Sequence, residues 1–398
     1  MITQNYNLSI DGDYLKNILK NVLADSEIEL KDWEAHQIIG GLEIGSNIYK
    51  LSGTAVSEKT IKSWSLILKI FHPEEQFSDP KGYRYWEREI QAYQSGLLDS
   101  LPGHFGAPKL YQICGKPEGS TWIFMEDIQD EFIRPWTLEQ YNNAAHLLGQ
   151  FNGAYLAGRS LPQKPWLCTQ WLLKYLEHAT PMIEFIQHNP AHPLIKSLLP
   201  GISLPLTVSF WDLYPKLIKI INSLPQTFCH QDAFTRNLFF RKGQLVAIDW
   251  GYAGIAPVGA ELAPLVGTAS DFSGFPSEQL DELDQACFNR YLEGIKEAGG
   301  NPDPQQVRLG FIITMTLRYV LGGVVGELLP TLLNEETKHF LSESLGVSQE
   351  ESEKTDPGIV AYYQKILIEM LRHLGLGFVL RFLGRMALWS IRFARNRN

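Results

Sequence analysis

The residue types that could carry chemistry are concentrated in residues 229–238, where His230, Asp232 and Asn237 have the spacing H-x-D-x-x-x-x-N. Asp249 follows within the run Ile-Asp-Trp-Gly. Kinases use this order of residues: the first Asp meets the substrate hydroxyl, and the Asn and the later Asp bind metal. An accidental H-x-D triplet in a polar loop is the alternative, but the full spacing is far more specific. The pattern therefore predicts phosphoryl transfer, with Asp232 as the catalytic residue.

Two short runs of strand-forming residues, 238–240 and 245–248, separate Asn237 from Asp249. The residues between the runs are typical of a tight turn, so we expect a β-hairpin with Asn237 and Asp249 facing each other at its open end. An amide oxygen and a carboxylate at that separation can share one hard cation. Mg²⁺ prefers oxygen ligands and keeps its other positions for water and substrate phosphates. The hairpin therefore predicts a magnesium site formed by these two side chains.

Upstream of the hairpin, Lys69 lies inside the otherwise apolar run 66–71. A lone lysine in a strand usually points to solvent, but together with a kinase-type loop it is expected to bind the α- and β-phosphates of ATP. A carboxylate from the next helix should then hold the ammonium group in place. We choose Glu89 for this role and keep Glu87 as the second choice; alternatively, either one belongs to a solvated helix face.

Two further segments fit nucleotide binding. A Gly-rich turn at 40–47 lies between two predicted strands, and the backbone N–H groups of Gly45, Ser46 and Asn47 could contact phosphates. A plain hairpin turn explains these glycines equally well. The strand predicted at 122–125 leads into Glu126 and Asp127, and a hinge for adenine is expected there, with backbone groups binding the base.

The order of predicted elements divides the chain into two regions. A first helix is predicted at 14–24 with Asp13 as its N-cap, followed by strands and one further helix at 84–97. Beyond these elements, apolar residues recur mostly at the intervals typical of helices. We therefore predict an α+β protein, with a nucleotide-binding lobe at 1–127 and a helical lobe carrying the catalytic loop and acceptor site at 128–398.

Taken together, these segments resemble the aminoglycoside phosphotransferase and choline kinase-like superfamily, which includes ecdysteroid-kinase-like members. The resemblance covers residues 33–330 and is carried by 40–49, 67–69, 89, 93, 124–127, 230–237 and 248–251. It implies a protein-kinase-like two-lobed fold, with a small β-rich N-lobe, a larger helical C-lobe, and ATP with Mg²⁺ in the cleft. The residues expected at the site are Asp232 for catalysis, Asn237 and Asp249 for metal, and Lys69, Glu89, Gly45, Ser46, Asn47 and Glu126 for ATP.

The chain departs from the family pattern at two positions. Asn152 stands where the family often has a His, a change that affects packing more than chemistry. Glu261 begins a Glu-Leu-Ala segment where Asp-Leu-Ala is common. We expect its longer carboxylate still to bond the neighbouring loop.

Two other functions compete with a small-molecule kinase. A protein kinase is disfavoured because Gln231 stands where many such kinases carry an Arg that binds a phosphorylated activation loop, and because residues 250–259 contain no Ser, Thr or A-P-E triplet. A catalytically inert nucleotide-binding or scaffold protein on this fold should have lost a metal or lysine position, and all of them are present. We therefore favour a constitutively assembled enzyme.

Composition limits the partners and the compartment. The 398-residue chain is 44% hydrophobic, enough for a large core, and its formal net charge of −9 argues against nucleic-acid binding while suiting a cationic substrate. The four cysteines are widely spaced and form no C-x-x-C pair, as in a reduced protein. The first residues have neither a basic region nor an apolar stretch, so we expect no signal peptide and a cytoplasmic protein.

Two apolar segments could be taken for membrane elements. Residues 311–329 are interrupted by Arg318 and Glu327, so a buried helix is favoured over a membrane span. Within residues 374–398, four arginines share one helical face beside an apolar stripe, and we favour docking of that stripe on the helical lobe over a membrane-surface helix. The arginines are Arg381, Arg385, Arg392 and Arg395, and the stripe is Phe378, Phe382, Met386 and Trp389.

The acceptor is expected to be a small molecule bound by the helical region. Candidate lining residues are Trp166, Trp171, Tyr175, Asp212 and Asp271. Core packing explains the tryptophans equally well.

Overall fold

The computed structural model describes residues 10–38, 46–198, 204–335, 337–339 and 356–395. Its strands are β1 (Glu29–Ile38), β2 (Ser46–Ser57), β3 (Thr60–Phe71), β4 (Phe105–Gly106), β5 (Leu110–Gly115), β6 (Thr121–Glu126), β7 (Gln226–Cys229), β8 (Leu238–Arg241), β9 (Gln244–Ala247) and β10 (Gly254–Pro257). Its α-helices are α1 (Gly12–Leu23), α2 (Arg88–Gln94), α3 (Leu138–Leu156), α4 (Trp171–His188), α5 (Pro193–Leu198), α6 (Leu204–Asn222), α7 (Leu262–Gly267), α8 (Leu280–Glu297), α9 (Pro304–Met315), α10 (Leu329–Leu333), α11 (Pro357–Leu374) and α12 (Leu376–Arg395). A π-helical stretch, Thr316–Leu328, joins α9 to α10.

Five strands form one antiparallel sheet in the order β1–β2–β3–β6–β5, and α1 packs against its apolar side. The N-cap of α1 is Asp11, whose carboxylate accepts a hydrogen bond from the Tyr14 N–H at 2.9 Å. The prediction of Asp13 as the cap is wrong: Asp13 lies in the first helical turn, whereas an N-cap residue has extended backbone and accepts from the third helical residue.

The second predicted helix is shorter than its apolar spacing indicated. Helix α2 begins at Arg88 rather than near residue 84, and it ends at Gln94. Gly96 follows with a φ of 68°. This left-handed conformation is easily adopted only by glycine and ends the helical path.

Beyond β6 the chain is mostly helical, so the predicted α+β class is confirmed, with a β-rich N-terminal region and a helical C-terminal region. Helix α3 begins with the predicted periodicity, and Thr137 N–H donates to the Gln140 side chain at 2.7 Å as part of a capping box. Tyr141, Ala144 and Leu148 are fully buried along its inner face. The division of the chain at residue 127 stays a prediction.

The predicted hairpin is formed by β8 and β9, and β4 joins it as a parallel partner of β9. Leu238 pairs with Ala247, and the Ile248 N–H donates to the Asn237 carbonyl at 2.9 Å. Asn237 therefore lies opposite Ile248, and the expectation that it faces Asp249 directly is wrong by one residue. The short turn at Lys242 and Gly243, both with positive φ, sets this register.

The apolar stretch 311–329 is a core element, as predicted. It lies within the helical run 304–333, which is long and apolar enough to cross a membrane by composition alone. However, 72% of its most apolar window is buried inside the fold. Phe311 and Leu317 are fully buried, and Val325 is too.

Helix α12 docks on α6 through the predicted aromatic stripe. The rings of Phe382 and Phe210 lie 4.4 Å apart, and Phe378 is also buried. At the edge of this contact, Asp212 of α6 accepts hydrogen bonds from Arg385 at 2.8 Å and from Trp389 at 3.0 Å. Asp212, suggested above as an acceptor-site residue, therefore has a structural role in fixing α12.

The close crossing of α3 and α8 gives a stability prediction. A Cβ built at Gly149 would lie 2.2 Å from the Tyr291 carbonyl oxygen, whereas one built at Gly384 of α12 meets no atom within 4 Å. We expect Gly149→Ala to lower the free energy of unfolding by about 1–3 kcal/mol, because the helices must separate. Gly384→Ala is the matched control and should be neutral or raise it by up to about 1 kcal/mol. Equal effects in denaturant unfolding would contradict this packing.

Candidate active site

Lys69 lies on β3, between Ile48 of β2 and Ile123 of β6. Although it belongs to an apolar strand, its side chain is buried and its Nζ binds two carboxylates. Glu89 Oε2 lies 2.5 Å away and Asp249 Oδ1 3.0 Å away. Burial works against the charged amine, but these two carboxylates outweigh it and raise the pKa of Lys69. The amine is therefore held as a cation.

Glu89, rather than Glu87, is the partner of Lys69. Its side chain is almost fully buried on α2, and burial raises its pKa to about 7 against the opposing charge of Lys69. Glu87 instead accepts hydrogen bonds from Tyr85 at 2.6 Å and from Gln91 at 2.9 Å. Helical geometry explains the choice, because residues two apart lie on different faces of a helix.

Arg88, the neighbour of Glu89, was not singled out by sequence reasoning. Its guanidinium is fully buried and donates to five backbone carbonyls, which use all five of its N–H groups. One of these acceptors is Gly251 at 2.8 Å, just after Asp249. The others are Trp166, Tyr83, Pro80 and Gly82. Arg88 thus ties α2 to the loop that carries Asp249.

Asp249 follows β9 in a left-handed conformation, with φ 65° and ψ 67°. Such a conformation is uncommon for a residue other than glycine and costs of order 1 kcal/mol, so the surroundings must enforce it. Its side chain is 45% exposed and reaches Lys69. Partial burial opposes ionisation, but the charge and hydrogen bond of Lys69 prevail and lower the pKa of Asp249.

His230 fixes the loop 230–237 through backbone contacts, as expected. Its Nε2 lies 2.9 Å from the Ile248 carbonyl, and its Nδ1 accepts from the Asp232 N–H at 3.2 Å. This pair of contacts defines the neutral tautomer with hydrogen on Nε2. Burial lowers the pKa of His230 to about 4, so the ring stays neutral and acts as a scaffold rather than as an acid or base.

Asp232 is held on both carboxylate oxygens. Oδ2 accepts from the Asn237 amide at 2.9 Å, and Oδ1 accepts from Arg318 at 2.6 Å. Burial raises the pKa of Asp232, the cation of Arg318 opposes that rise, and the negative charge of Asp249 adds to it. The carboxylate is therefore fixed in one orientation, with its charge balanced mainly by Arg318.

Arg318 is a site residue that sequence reasoning missed. In the sequence it serves only as a charge that argues against a membrane span at 311–329. It lies in the first turn of the π-helical stretch and also donates to the Gln231 carbonyl. Its guanidinium stacks 4.4 Å from the centre of the Trp171 ring, which in turn stacks on Tyr175 at 5.0 Å. A charge inside an otherwise apolar helix was the available signal, because such a charge needs a buried partner.

Glu261 forms hydrogen bonds with the loop 230–237, as expected despite its departure from the family pattern. Its carboxylate accepts from the His230 N–H at 2.7 Å and from the Gln231 N–H at 3.2 Å. Burial raises its pKa to about 7, although these two hydrogen bonds work in the opposite direction. The other departure, Asn152, is a packing residue. It donates a hydrogen bond to the Phe228 carbonyl and accepts one from the Tyr291 hydroxyl.

The other predicted nucleotide contacts are placed less fully. Gly45 lies outside the described residues, Ser46 begins β2 opposite Phe71, and the Asn47 amide lies 3.5 Å from His72 Nε2. Glu126 pairs with Arg241 at 2.6 Å, and its N–H donates to the Lys109 carbonyl at 2.9 Å. The side chain and N–H of Glu126 are thus engaged within the protein. Their roles in binding ATP stay predictions.

The donor set suits a hard divalent cation. Because the Asn237 amide nitrogen donates to Asp232, the amide oxygen is left as one candidate ligand atom, and the partly exposed carboxylate of Asp249 supplies a second. Three acidic side chains here, Asp232, Glu89 and Asp249, face two basic ones, Lys69 and Arg318. A bound cation would relieve this excess of negative charge.

These features define the class of the protein as a kinase-like phosphotransferase. A sequence model of the phosphotransferase enzyme family, APH, matches residues 56–308, more than half of the chain, and the chain belongs to this family. No curated protein matches the chain.

Solved structures with the same fold include small-molecule kinases. Choline kinase from Cryptosporidium parvum is similar with a TM-score of 0.53 and 14% identity over 96% of this chain and 100% of that one. Spectinomycin phosphotransferase, in complex with ADP and spectinomycin, has a TM-score of 0.51 and 17% identity over 91% of this chain and 99% of that one. Amicoumacin kinase, in complex with AMP-PNP, Ca²⁺ and Ami, has a TM-score of 0.51 and 13% identity over 86% of this chain and 93% of that one. At these identities the likeness concerns the fold.

The contact between Arg318 and Asp232 gives a prediction about turnover. We expect Arg318→Met to lower the rate of ATP turnover by about a hundredfold, because the carboxylate loses its orientation. It should also move the acid limb of the pH–rate profile to higher pH, since Arg318 normally opposes the rise in the pKa of Asp232. Arg318→Lys should recover part of the lost rate and part of the shift in the acid limb. Arg290→Gln, at a surface arginine, should change neither the rate nor the acid limb. An unmoved acid limb with a folded variant would contradict this role.

The buried carboxylate of Glu261 gives a prediction about stability. Burial raises the folded pKa of Glu261 to about 7, above the 4.5 of a solvated glutamate, so folding favours the protonated form. Its contribution to stability therefore falls as pH rises from about 4.5 to 7, by about 3 kcal/mol in total. In Glu261→Gln the free energy of unfolding, measured by urea titration, should lack this component of the pH dependence. Glu278→Gln, at an exposed position, is the control and should keep the wild-type profile; identical profiles for all three proteins would contradict the prediction.

Proposed function

We propose that this protein is an ATP- and Mg²⁺-dependent phosphotransferase that phosphorylates a hydroxyl group of a small molecule in the cytoplasm. The observation that carries the proposal is the pair of contacts made by Lys69 Nζ, at 2.5 Å to Glu89 and at 3.0 Å to Asp249. In the nearby loop, Asn237 donates a hydrogen bond to Asp232. Family membership and the fold of the known small-molecule kinases support it.

The residues divide the work between nucleotide and acceptor. Residues 1–127 form the nucleotide-binding lobe, in which Lys69 binds the phosphates, Glu89 orients Lys69, and the turn at Gly45, Ser46 and Asn47 covers the phosphates. Glu126 marks the hinge for the base. Residues 128–398 form the lobe with the catalytic loop and the acceptor site.

Transfer depends mainly on positioning and charge. Asp232 accepts the proton of the acceptor hydroxyl and aims its oxygen at the γ-phosphorus, while the bond from that phosphorus to the leaving ADP oxygen breaks. Asn237 and Asp249 would hold Mg²⁺, and the bound ion would supply positive charge to neutralise the phosphates. Lys69 donates to the same phosphates, and Glu89 and the Arg88 contacts keep the groups preorganised.

The charge of Arg318 narrows the class of acceptor. Its guanidinium lies against Asp232, and it occupies the face of Trp171 that would otherwise suit a substrate cation. A cationic group next to the reacting hydroxyl would therefore have neither Asp232 nor this ring as a partner, because Arg318 already occupies both. The acceptor is therefore neutral or anionic near its reacting hydroxyl, in contrast to what the net charge of −9 suggested from composition.

Nucleotide binding is tested by thermal unfolding. Mg²⁺–ATP should raise the melting temperature, by an amount equivalent to about 2.7 kcal/mol at a hundredfold excess over Kd. Asp249→Ala should lose most of this shift because the metal ligand is removed, whereas Asp99→Ala, at an exposed site, should keep it. No shift of the wild-type protein at millimolar nucleotide would contradict the proposed ATP site.

Transfer is tested with a panel of hydroxyl compounds assayed for ATP consumption and product mass. We expect turnover with neutral or anionic compounds and none with Asp232→Asn, which should still bind Mg²⁺–ATP because Asp232 is not a nucleotide ligand. Turnover of cationic compounds alone would overturn the acceptor class. Nucleotide binding without any transfer across the panel would favour the inert nucleotide-binding alternative.

A further inference from the structure

Large apolar side chains are unusually exposed on one element, α12. Leu376, Leu380, Leu383, Leu388 and Ile391 are each more than half exposed, with Leu376 at 72% and Leu388 at 67%. In the rest of the described chain, the large apolar side chains with high exposure are Ile38, Ile61, Ile133 and Ile368, and Ile368 lies on the adjoining α11. Contiguous exposed apolar surface of this kind marks an interaction site.

This exposed surface is the face of α12 opposite to its docked face. The docked side chains Phe378, Phe382 and Phe393 are buried, and the Phe382 ring contacts Phe210 of α6. The exposed leucines recur at spacings of three to five residues, so they share a second stripe. A Cβ built at Gly377 or Gly384 would meet no described atom within 4 Å, so this side is open.

The charge around this stripe is of one sign. Residues 370–398 contain no Asp or Glu, while the whole chain carries a formal net charge of −9. Arg385 is paired with Asp212 on α6. Arg381 and Arg392 are exposed and follow each other along the border of the stripe, with Arg392 lying over the Trp389 ring. An apolar stripe bordered by arginines is typical of a helix that lies in a membrane interface.

We propose that this face, defined as Leu376, Leu380, Leu383, Leu388 and Ile391 with Arg381 and Arg392, binds the surface of a bilayer that contains anionic lipid. The leucines would enter the acyl boundary while the arginines contact lipid phosphates. A second copy of the chain fits less well, because a symmetric contact would bring the same arginines together without a carboxylate in the face to pair with them. Since α12 also stays docked on α6, it lies on the bilayer rather than crossing it.

The proposal is tested by co-sedimentation of the full chain with vesicles of phosphatidylcholine alone and of phosphatidylcholine with phosphatidylglycerol. We expect binding to the mixed vesicles that weakens with salt, and much weaker binding to phosphatidylcholine alone. Leu380→Ser with Leu383→Ser should reduce affinity at least about tenfold, because apolar area is lost. Arg381→Gln with Arg392→Gln should reduce it about fivefold per arginine on the mixed vesicles only.

The matched control is Ile61→Ser with Ile133→Ser, which removes two exposed apolar side chains elsewhere and should leave vesicle binding unchanged. Thermal unfolding checks that all variants are folded, and the positions are exposed, so little change is expected. Failure of the wild-type protein to bind mixed vesicles, or equal losses in the control, would overturn the proposal. So would a dimer in sedimentation equilibrium that Leu380→Ser with Leu383→Ser dissociates, since the face would then bind a second copy.

Discussion

A single buried ammonium group, Lys69 Nζ, connects the sheet, helix α2 and the loop after β9, and the rest of the site depends on it. Each connection alone would be unfavourable, because a buried Glu89 or Lys69 without its partner loses several kcal/mol of solvation. The charges are satisfied only when the three elements come together, with Glu89 Oε2 at 2.5 Å and Asp249 Oδ1 at 3.0 Å from Lys69 Nζ. The ion pairs thus define one arrangement of the β-rich region against the helical region, and Arg88 secures it through backbone carbonyls.

The same logic of balanced charge extends to the acceptor side. Arg318 balances the charge of the partly buried Asp232 carboxylate, and Asp232 together with the ring of Trp171 offsets the partial burial of Arg318. Excess negative charge remains around Asp249, where a cation and phosphates are expected. Catalytic readiness in this account is electrostatic, because the groups are preorganised before any substrate arrives.

Local patterns in the sequence predicted what local physics determines. The periodicity of α3, the β8–β9 hairpin and the lysine in β3 were predictable, and the order of the motifs predicted a partner carboxylate on the next helix, with Glu89 as the first choice. Arg318 was not, because its partner lies 86 residues away and only the fold brings them together. The pairing of Asn237 with Ile248 rather than Asp249 is set by the hairpin turn. The identity of the N-cap of α1 is set by backbone conformation. Helix α12 is apolar on two faces, and its sequence predicted the aromatic face that docks but not the leucine face that stays exposed.

Binding of Mn²⁺, a paramagnetic substitute for Mg²⁺, measures the central claim most directly. In the presence of a non-hydrolysable ATP analogue, electron paramagnetic resonance should show Mn²⁺ retained by the wild-type protein. Asn237→Leu and Lys69→Met should each weaken that retention, since one removes an oxygen ligand and the other a phosphate contact that also orders Asp249. Retention that is equal in the wild-type protein and both variants would contradict the account.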